Sequence, residues 1–177
     1  MSEEIKNIVN ALRSGKLAVF QADICRVIAC DATCSEAVQS LLSVSKKNQN
    51  STITLLFDET GRITNYLEEI PDVVWDLIEY SEKALTLILP GLRNIDESLL
   101  SETSHTGIRI VKDEFTKNIC KSFRKPIATI TLNTDKILNE KILSEISGYI
   151  SSVSSQSKPA PLSIIELGKG NKFRIIQ

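Results

Sequence analysis

A chain of 177 residues with 42% hydrophobic content is long enough to close one core and too short for two ordinary domains, so a single domain is expected. The net charge of −1 and a pI of about 5.9 give the chain as a whole no electrostatic reason to condense on nucleic acid or anionic lipid, and no apolar run approaches membrane-spanning length. Glu3 and Glu4 stand where a secretory leader would be basic, so the expectation is a cytoplasmic protein without membrane association.

Ile5, Ile8, Val9 and Leu12 recur at helical spacing, with Gly15 placed to end that helix. Leu17 to Phe20 reads as a buried strand, and a second extended run goes from Ile24 to Cys30. Thr33 with Glu36 has capping-box spacing, and Ala37, Leu41, Leu42 and Val44 supply the apolar positions of a helix to about Ser45. Ile53 to Phe57 is the next strand. Pro71 suits a helix start, with Val74, Leu77 and Ile78 as its core stripe, and Ala84 to Leu89 is an almost unbroken apolar strand before Pro90-Gly91.

The stretch from Thr106 to Asn133 reads as strand, helix, strand. Gly107 to Val111 and Pro126 to Asn133 are the strands; between them Asp113 and Glu114 suit the positive end of a helix, and Lys121, Arg124 and Lys125 its negative end. Open α/β sheets place ligands at strand ends, which makes Arg109, Thr131 and Asn133 the first candidates for a site. On the intervening helix Lys117, Lys121, Arg124 and Lys125 form a basic stripe opposite an apolar one of Phe115, Ile119 and Phe123. Ile137, Ile142, Ile146 and Ile150 predict a further helix, Ser151 to Lys158 a serine-rich connection, and Leu162 to Leu167 with Phe173 to Ile176 a closing hairpin. Alternating strands and helices predict an α/β domain with a twisted mixed sheet covered by helices.

The four cysteines form no C-x-x-C pair, and the one histidine lies in a different segment from the cluster at Cys25, Cys30 and Cys34. Neither zinc-site nor disulfide-scaffold spacing is present, so free thiols without metal are expected.

Over nearly its full length the order of segments resembles the YrdC/YciO/TsaC family, whose best-known members make threonylcarbamoyl-adenylate from ATP, L-threonine and bicarbonate for tRNA modification. The family motif P-T-D-T-V-Y-G-L falls on Gln21 to Ile28, where Asp23 is what remains of its polar part; the following Cys-Asp-Ala stretch falls on Cys30-Asp31-Ala32. The family's K-x-R falls on Ser45 and Lys47, with Lys46 one residue away. Its W-P-G-P-L-T-L-I-L falls on Ser81 to Leu89, and R-V-P on Arg109-Ile110-Val111. S-A-N falls on Thr131-Leu132-Asn133, and the late S-T-hydrophobic-hydrophobic-D stretch on Leu162 to Glu166.

The departures carry chemistry. Ala22 and Ile24 replace threonines, and Val27 replaces a glycine whose turn or open space a β-branched residue cannot reproduce. Arg26 replaces tyrosine. The resemblance therefore implies a nucleotide- or double-stranded-RNA-binding protein weakened or altered in catalysis; the alternatives are an active L-threonylcarbamoyladenylate synthase and a structural or interaction protein without ligand. No covalently held cofactor is implied, and ATP with Mg would be a substrate. The implied anion site is Lys47, Arg109, Thr131, Asn133 and Ser163. The implied RNA contact is Lys117, Lys121, Arg124 and Lys125, on double-stranded RNA or tRNA.

Overall fold

A computed structural model describes residues 1–48, 52–100, 106–132, 136–152, 162–168 and 173–176. Asn133, most of the serine-rich connection and the turn of the closing hairpin lie outside these residues.

Helix α1 (Glu3–Arg13) starts under the Ser2 hydroxyl and buries Ile5, Ile8, Val9 and Leu12, the stripe expected from its spacing. It ends as that reading requires. Gly15 takes φ +68, and the amides of Gly15 and Lys16 bond back to the carbonyls of Leu12 and Ala11, a glycine-closed helix terminus. Strands β1 (Leu17–Gln21) and β2 (Arg26–Asp31) form an antiparallel hairpin. After them come α2 (Ser35–Lys47), β3 (Thr54–Phe57), a short α3 (Thr60–Ile63), α4 (Asp72–Tyr80), β4 (Ala84–Ile88) and a 3-10 turn at Glu97–Leu99. The central unit is β5 (Gly107–Ile110), α5 (Glu114–Phe123) and β6 (Ile127–Thr131). The remaining elements are α6 (Lys136–Glu145), β7 (Gly148–Ile150), β8 (Leu162–Leu167) and β9 (Phe173–Ile175).

All the strands join one mixed sheet of nine, in the order β7-β1-β2-β6-β3-β5-β4-β8-β9. Side chains alternate across it, and the strands at its centre feed a core on each face. On one face Val19, Ile28, Leu55, Leu87, Ile108 and Ile130 pack with Val38 and Leu41 of α2, Val74 of α4 and Ile142 of α6. On the other, Phe20, Val27, Leu56 and Ile127 pack with Ile8 and Leu12 of α1 and Ile119 and Phe123 of α5. The expected single α/β domain with a helix-covered mixed sheet is what the chain forms.

Two local expectations are corrected. The Thr33–Glu36 capping box does not form: Cys34 is the N-cap of α2 without a side-chain bond, and Thr33 gives both its amide and its hydroxyl to Asp31 Oδ1, at 2.8 and 2.6 Å. A charged acceptor two residues upstream outcompetes the neutral cap geometry. Ile150 is not helical but belongs to β7, because the chain turns at Gly148 to lie parallel to β1. A Cβ on Gly148 would stand 1.8 Å from the Leu17 carbonyl oxygen, so only glycine permits this approach.

Candidate functional site

The centre of the β5 strand carries a buried cation. Ile108 points into the α2 face, so by alternation Arg109 points into the opposite one, where it is 4% exposed. Its Nε donates to Thr86 Oγ1 of β4 at 3.2 Å, and its Nη1 to Asp23 Oδ1 at 3.0 Å. Asp23 comes from the β1–β2 turn, 86 residues away in sequence, and the two side chains are 5% and 6% exposed. The second carboxylate oxygen, Asp23 Oδ2, is buried without a hydrogen-bond partner among the described residues. Burial raises the Asp23 carboxyl above its ordinary value, and the pull of Arg109 in the other direction does not offset it.

The neighbouring strands leave no slack here. A Cβ on Gly107 would lie 2.5 Å from Cγ2 of Thr86, the residue that accepts from Arg109. Gly107→Ala is therefore expected to lower stability by about 1–3 kcal/mol, the usual cost of over-packing. Denaturant unfolding checks this, and an unchanged midpoint would mean that Thr86 rotates away at no cost.

Beside the ion pair, Cys25 Sγ and Thr131 Oγ1 are 3.4 Å apart, which brings the end of β6 to the same turn. Burial raises the Cys25 thiol, with the Thr131 hydrogen bond acting against it. Ala22, Ile24 and Val27 are all buried around this turn. Arg26, in the position of the motif's tyrosine, donates through Nη2 to the Ser151 carbonyl at 2.7 Å and so ties the hairpin to the chain after β7.

Of the anion-site residues named from the sequence, Arg109 and Thr131 thus lie on one face of the sheet and meet the same turn. Lys47 and Ser163 do not join them. Ser163 is in register with Leu85, which faces the α2 core, so its side chain leaves β8 on the side away from Arg109. Lys47 ends α2 on that same far side, where its ammonium pairs with Glu145 of α6 and lines a cavity of about 570 Å³ with Lys16, Glu36 and Gln39. Asn133 lies outside the described residues. Asn48, the residue after Lys47, is the one that reaches β6, donating to the Thr131 carbonyl at 2.7 Å.

All four cysteines are free thiols, and burial raises the thiols of Cys30 and Cys120 furthest. Among the described residues no group of three or more histidine, cysteine or acidic side chains is arranged to hold a metal ion, and no helix is long and apolar enough to cross a membrane.

The basic stripe of α5 divides. Asp113 caps the helix, its Oδ2 accepting from the Thr116 amide at 2.8 Å, and the buried face is Thr116, Ile119, Cys120 and Phe123. Lys125 is drawn off to Asp31 Oδ2 at 2.8 Å, and Lys117 is half-buried. Lys121 and Arg124 are exposed and line a cleft of about 390 Å³ together with Arg62, Asn65 and Tyr66. Sequence reasoning missed those last three. The local signal was Arg62 at helical spacing after Asp58 and Glu59, with which it pairs at 3.1 and 3.4 Å.

Against known proteins, the chain is 22% identical over 136 residues to the threonylcarbamoyl-AMP synthase of Riesia pediculicola, an alignment covering 75% of this chain and 73% of that one. Among solved structures, E. coli YciO superposes with a TM-score of 0.78 at 16% identity, covering 98% of this chain and 87% of its own. P. abyssi Sua5, solved in complex with L-threonine, superposes with a TM-score of 0.79 at 16% identity; all of this chain is covered, but only 55% of Sua5. At such identities the two structures establish a common fold. The family model for Sua5, YciO and YrdC, described as "Telomere recombination", matches residues 10–176, and with nearly the whole chain inside that match the protein belongs to this family.

Proposed function

We propose that the protein is a threonylcarbamoyl-AMP synthase acting in tRNA modification, taking ATP as its magnesium complex, L-threonine and bicarbonate. The observation that carries this reading is the meeting of Asp23, Arg109 and Thr131 on one face of the sheet. They come from three segments distant in sequence, and each stands at a position of the family's motifs. The name of the R. pediculicola relative supports it. Adenylate formation puts charge on phosphoryl oxygens as pyrophosphate leaves, and Arg109 is the group here suited to receive it. Because Arg109 is 4% exposed, the phosphate would have to take the place that the Asp23 carboxylate holds. Thr131 is exposed at the strand end and offers a hydroxyl beside that position.

One observation favours a second reading, a nucleotide-binding protein weakened in catalysis. Ala22, Ile24 and Val27 bury apolar groups where the motif carries hydroxyls and a glycine. The two readings separate in one assay. The synthase reading expects pyrophosphate release that requires ATP, threonine and bicarbonate together, and a fall of about tenfold in kcat/KM for Thr131→Val, the value of one lost hydrogen bond to a charged group. ATP binding by calorimetry with no threonine-dependent pyrophosphate would leave the second reading standing.

A further inference from the structure

The cleft at the C-terminal end of α5 is a second place where this chain presents cations, and it is built differently from the Arg109 site. Its lining is Arg62, Asn65, Tyr66, Lys121 and Arg124: three cations, an amide and a phenol, with no carboxylate. Neither Lys121 nor Arg124 makes an ion pair among the described residues. The nearby acids are already paired, two of them with Arg62 itself. Asp58 and Glu59 hold the Nε edge of Arg62 at 3.1 and 3.4 Å, and Asp31 holds Lys125.

The wall of the cleft is fixed. The Tyr66 ring packs on Phe57 with centroids 5.4 Å apart, and the Arg93 amide donates to the Tyr66 carbonyl at 2.9 Å. Asn94 Nδ2 donates to the Asn65 carbonyl at 2.6 Å, and Arg93 Nη2 to that of Thr64 at 3.2 Å. Across the cleft, Arg124 sits at φ +68, a left-handed position that helix ends normally give to glycine. A long cationic side chain kept at a backbone position that disfavours it points to a use for the side chain.

We propose that this cleft is a binding site for a multivalent phosphate group, held by the Arg62 and Arg124 guanidiniums and the Lys121 ammonium, with the Tyr66 hydroxyl and the Asn65 amide as neutral donors. A fixed ring and a fixed loop on one wall and, on the other, two cations without counter-ions among the described residues match an anion with several oxygens, since each guanidinium can give two parallel hydrogen bonds. The site lies near the start of β6, whereas Thr131 is at its end, so it is separate from the proposed synthase centre and does not depend on that reading. The same chemistry is offered by a free polyphosphate and by the backbone of an RNA.

Calorimetry at low salt with sodium tripolyphosphate, and separately with a short RNA duplex, tests the proposal on the wild-type chain, Arg124→Gly and Lys121→Gln. Glycine suits the left-handed position and Lys121 is exposed, so both variants give up only a helix-end charge interaction and should melt close to wild type. At least one probe is expected to bind, each substitution to weaken it about tenfold, and added salt to weaken it further. Binding of tripolyphosphate alone assigns the site to free polyphosphate, and binding of the duplex alone to backbone phosphate. If wild type binds neither probe at millimolar concentration, or if both variants bind as wild type does, the proposal is overturned. Pyrophosphate release at the other centre is read separately and decides neither outcome.

Discussion

Asp23→Ala is expected to lower the free energy of unfolding by about 3–5 kcal/mol at neutral pH, the cost of leaving a buried charge without its partner. The Arg109 side chain is 5% exposed, and its hydrogen bond to Thr86 leaves the Nη1 edge that faced the carboxylate poorly reached by water. The paired variant Asp23→Leu with Arg109→Met should recover most of that loss, because two apolar groups of similar volume need no desolvation. Denaturant midpoints of the single and paired variants test this, and a single-variant loss under about 1 kcal/mol would mean that the pair is hydrated. The sign with pH follows from the raised Asp23 carboxyl. A raised value in the folded chain means the fold holds that proton more tightly than the unfolded chain does. The stability from this group is then complete below the ordinary value of 3.8 and is lost as pH rises through the raised one. Asp23→Asn removes the titrating group and should flatten that part of the stability profile.

Phe20→Ala is expected to cost about 3–5 kcal/mol, the range for emptying a fully buried aromatic site. Phe20 is 0% exposed between the sheet and helices α1 and α5, and it pairs with Val27 across the hairpin whose turn carries Asp23 and Cys25. The loss should therefore show twice, as a lower denaturant midpoint and as faster labelling of the Cys25 thiol under native conditions. Faster global unfolding alone, with Cys25 labelled at the wild-type rate, would show that the turn is held by its own hydrogen bonds, such as the Ala22 amide to the Cys25 carbonyl at 2.9 Å.

The strands were legible because their apolar residues run together in short blocks. Leu17–Phe20, Ile53–Phe57 and Ala84–Leu89 hardly admit another reading, and each contributes to the sheet. Helix α1 was legible down to its closing glycine. What failed did so through residues that another segment claimed. Thr33 carries a capping signal, but Asp31 takes both its donors. Ile150 continues a helical period, but Gly148 lets the chain reach Leu17 and join the sheet instead.

At the site, the sequence reading gathers Arg109, Thr131, Asn133, Lys47 and Ser163 at one cavity, whereas the structure puts Arg109 and Thr131 on one face of the sheet and Lys47 and Ser163 on the other. Which face of a sheet a residue serves depends on register, and a single sequence does not carry the register of β4 against β8. Arg109 read as a free phosphate contact, whereas its counter-ion comes from the turn that the motif resemblance had already marked at Asp23. The wall formed by Arg62, Asn65 and Tyr66 was out of reach for a different reason. A four-residue helix and the turn after it have no periodicity to read, and the residues across the cleft, Lys121 and Arg124, belong to a distant segment.

The position of β6 has a consequence for how the chain acquires its structure. Residues Ile127–Thr131 lie between β2 and β3, so the hairpin formed first and the strand that follows it share no hydrogen bonds with one another. Until β6 is made, the growing chain holds two separate pieces, each with an open edge facing the other. The gap closes only through the pairings of β6, such as Thr131 with Val27 and Ile127 with Leu56, which join residues far apart in the chain. High contact order of this kind places the protein among slow folders, with its unpaired edges exposed to other chains for as long as synthesis of the second half takes.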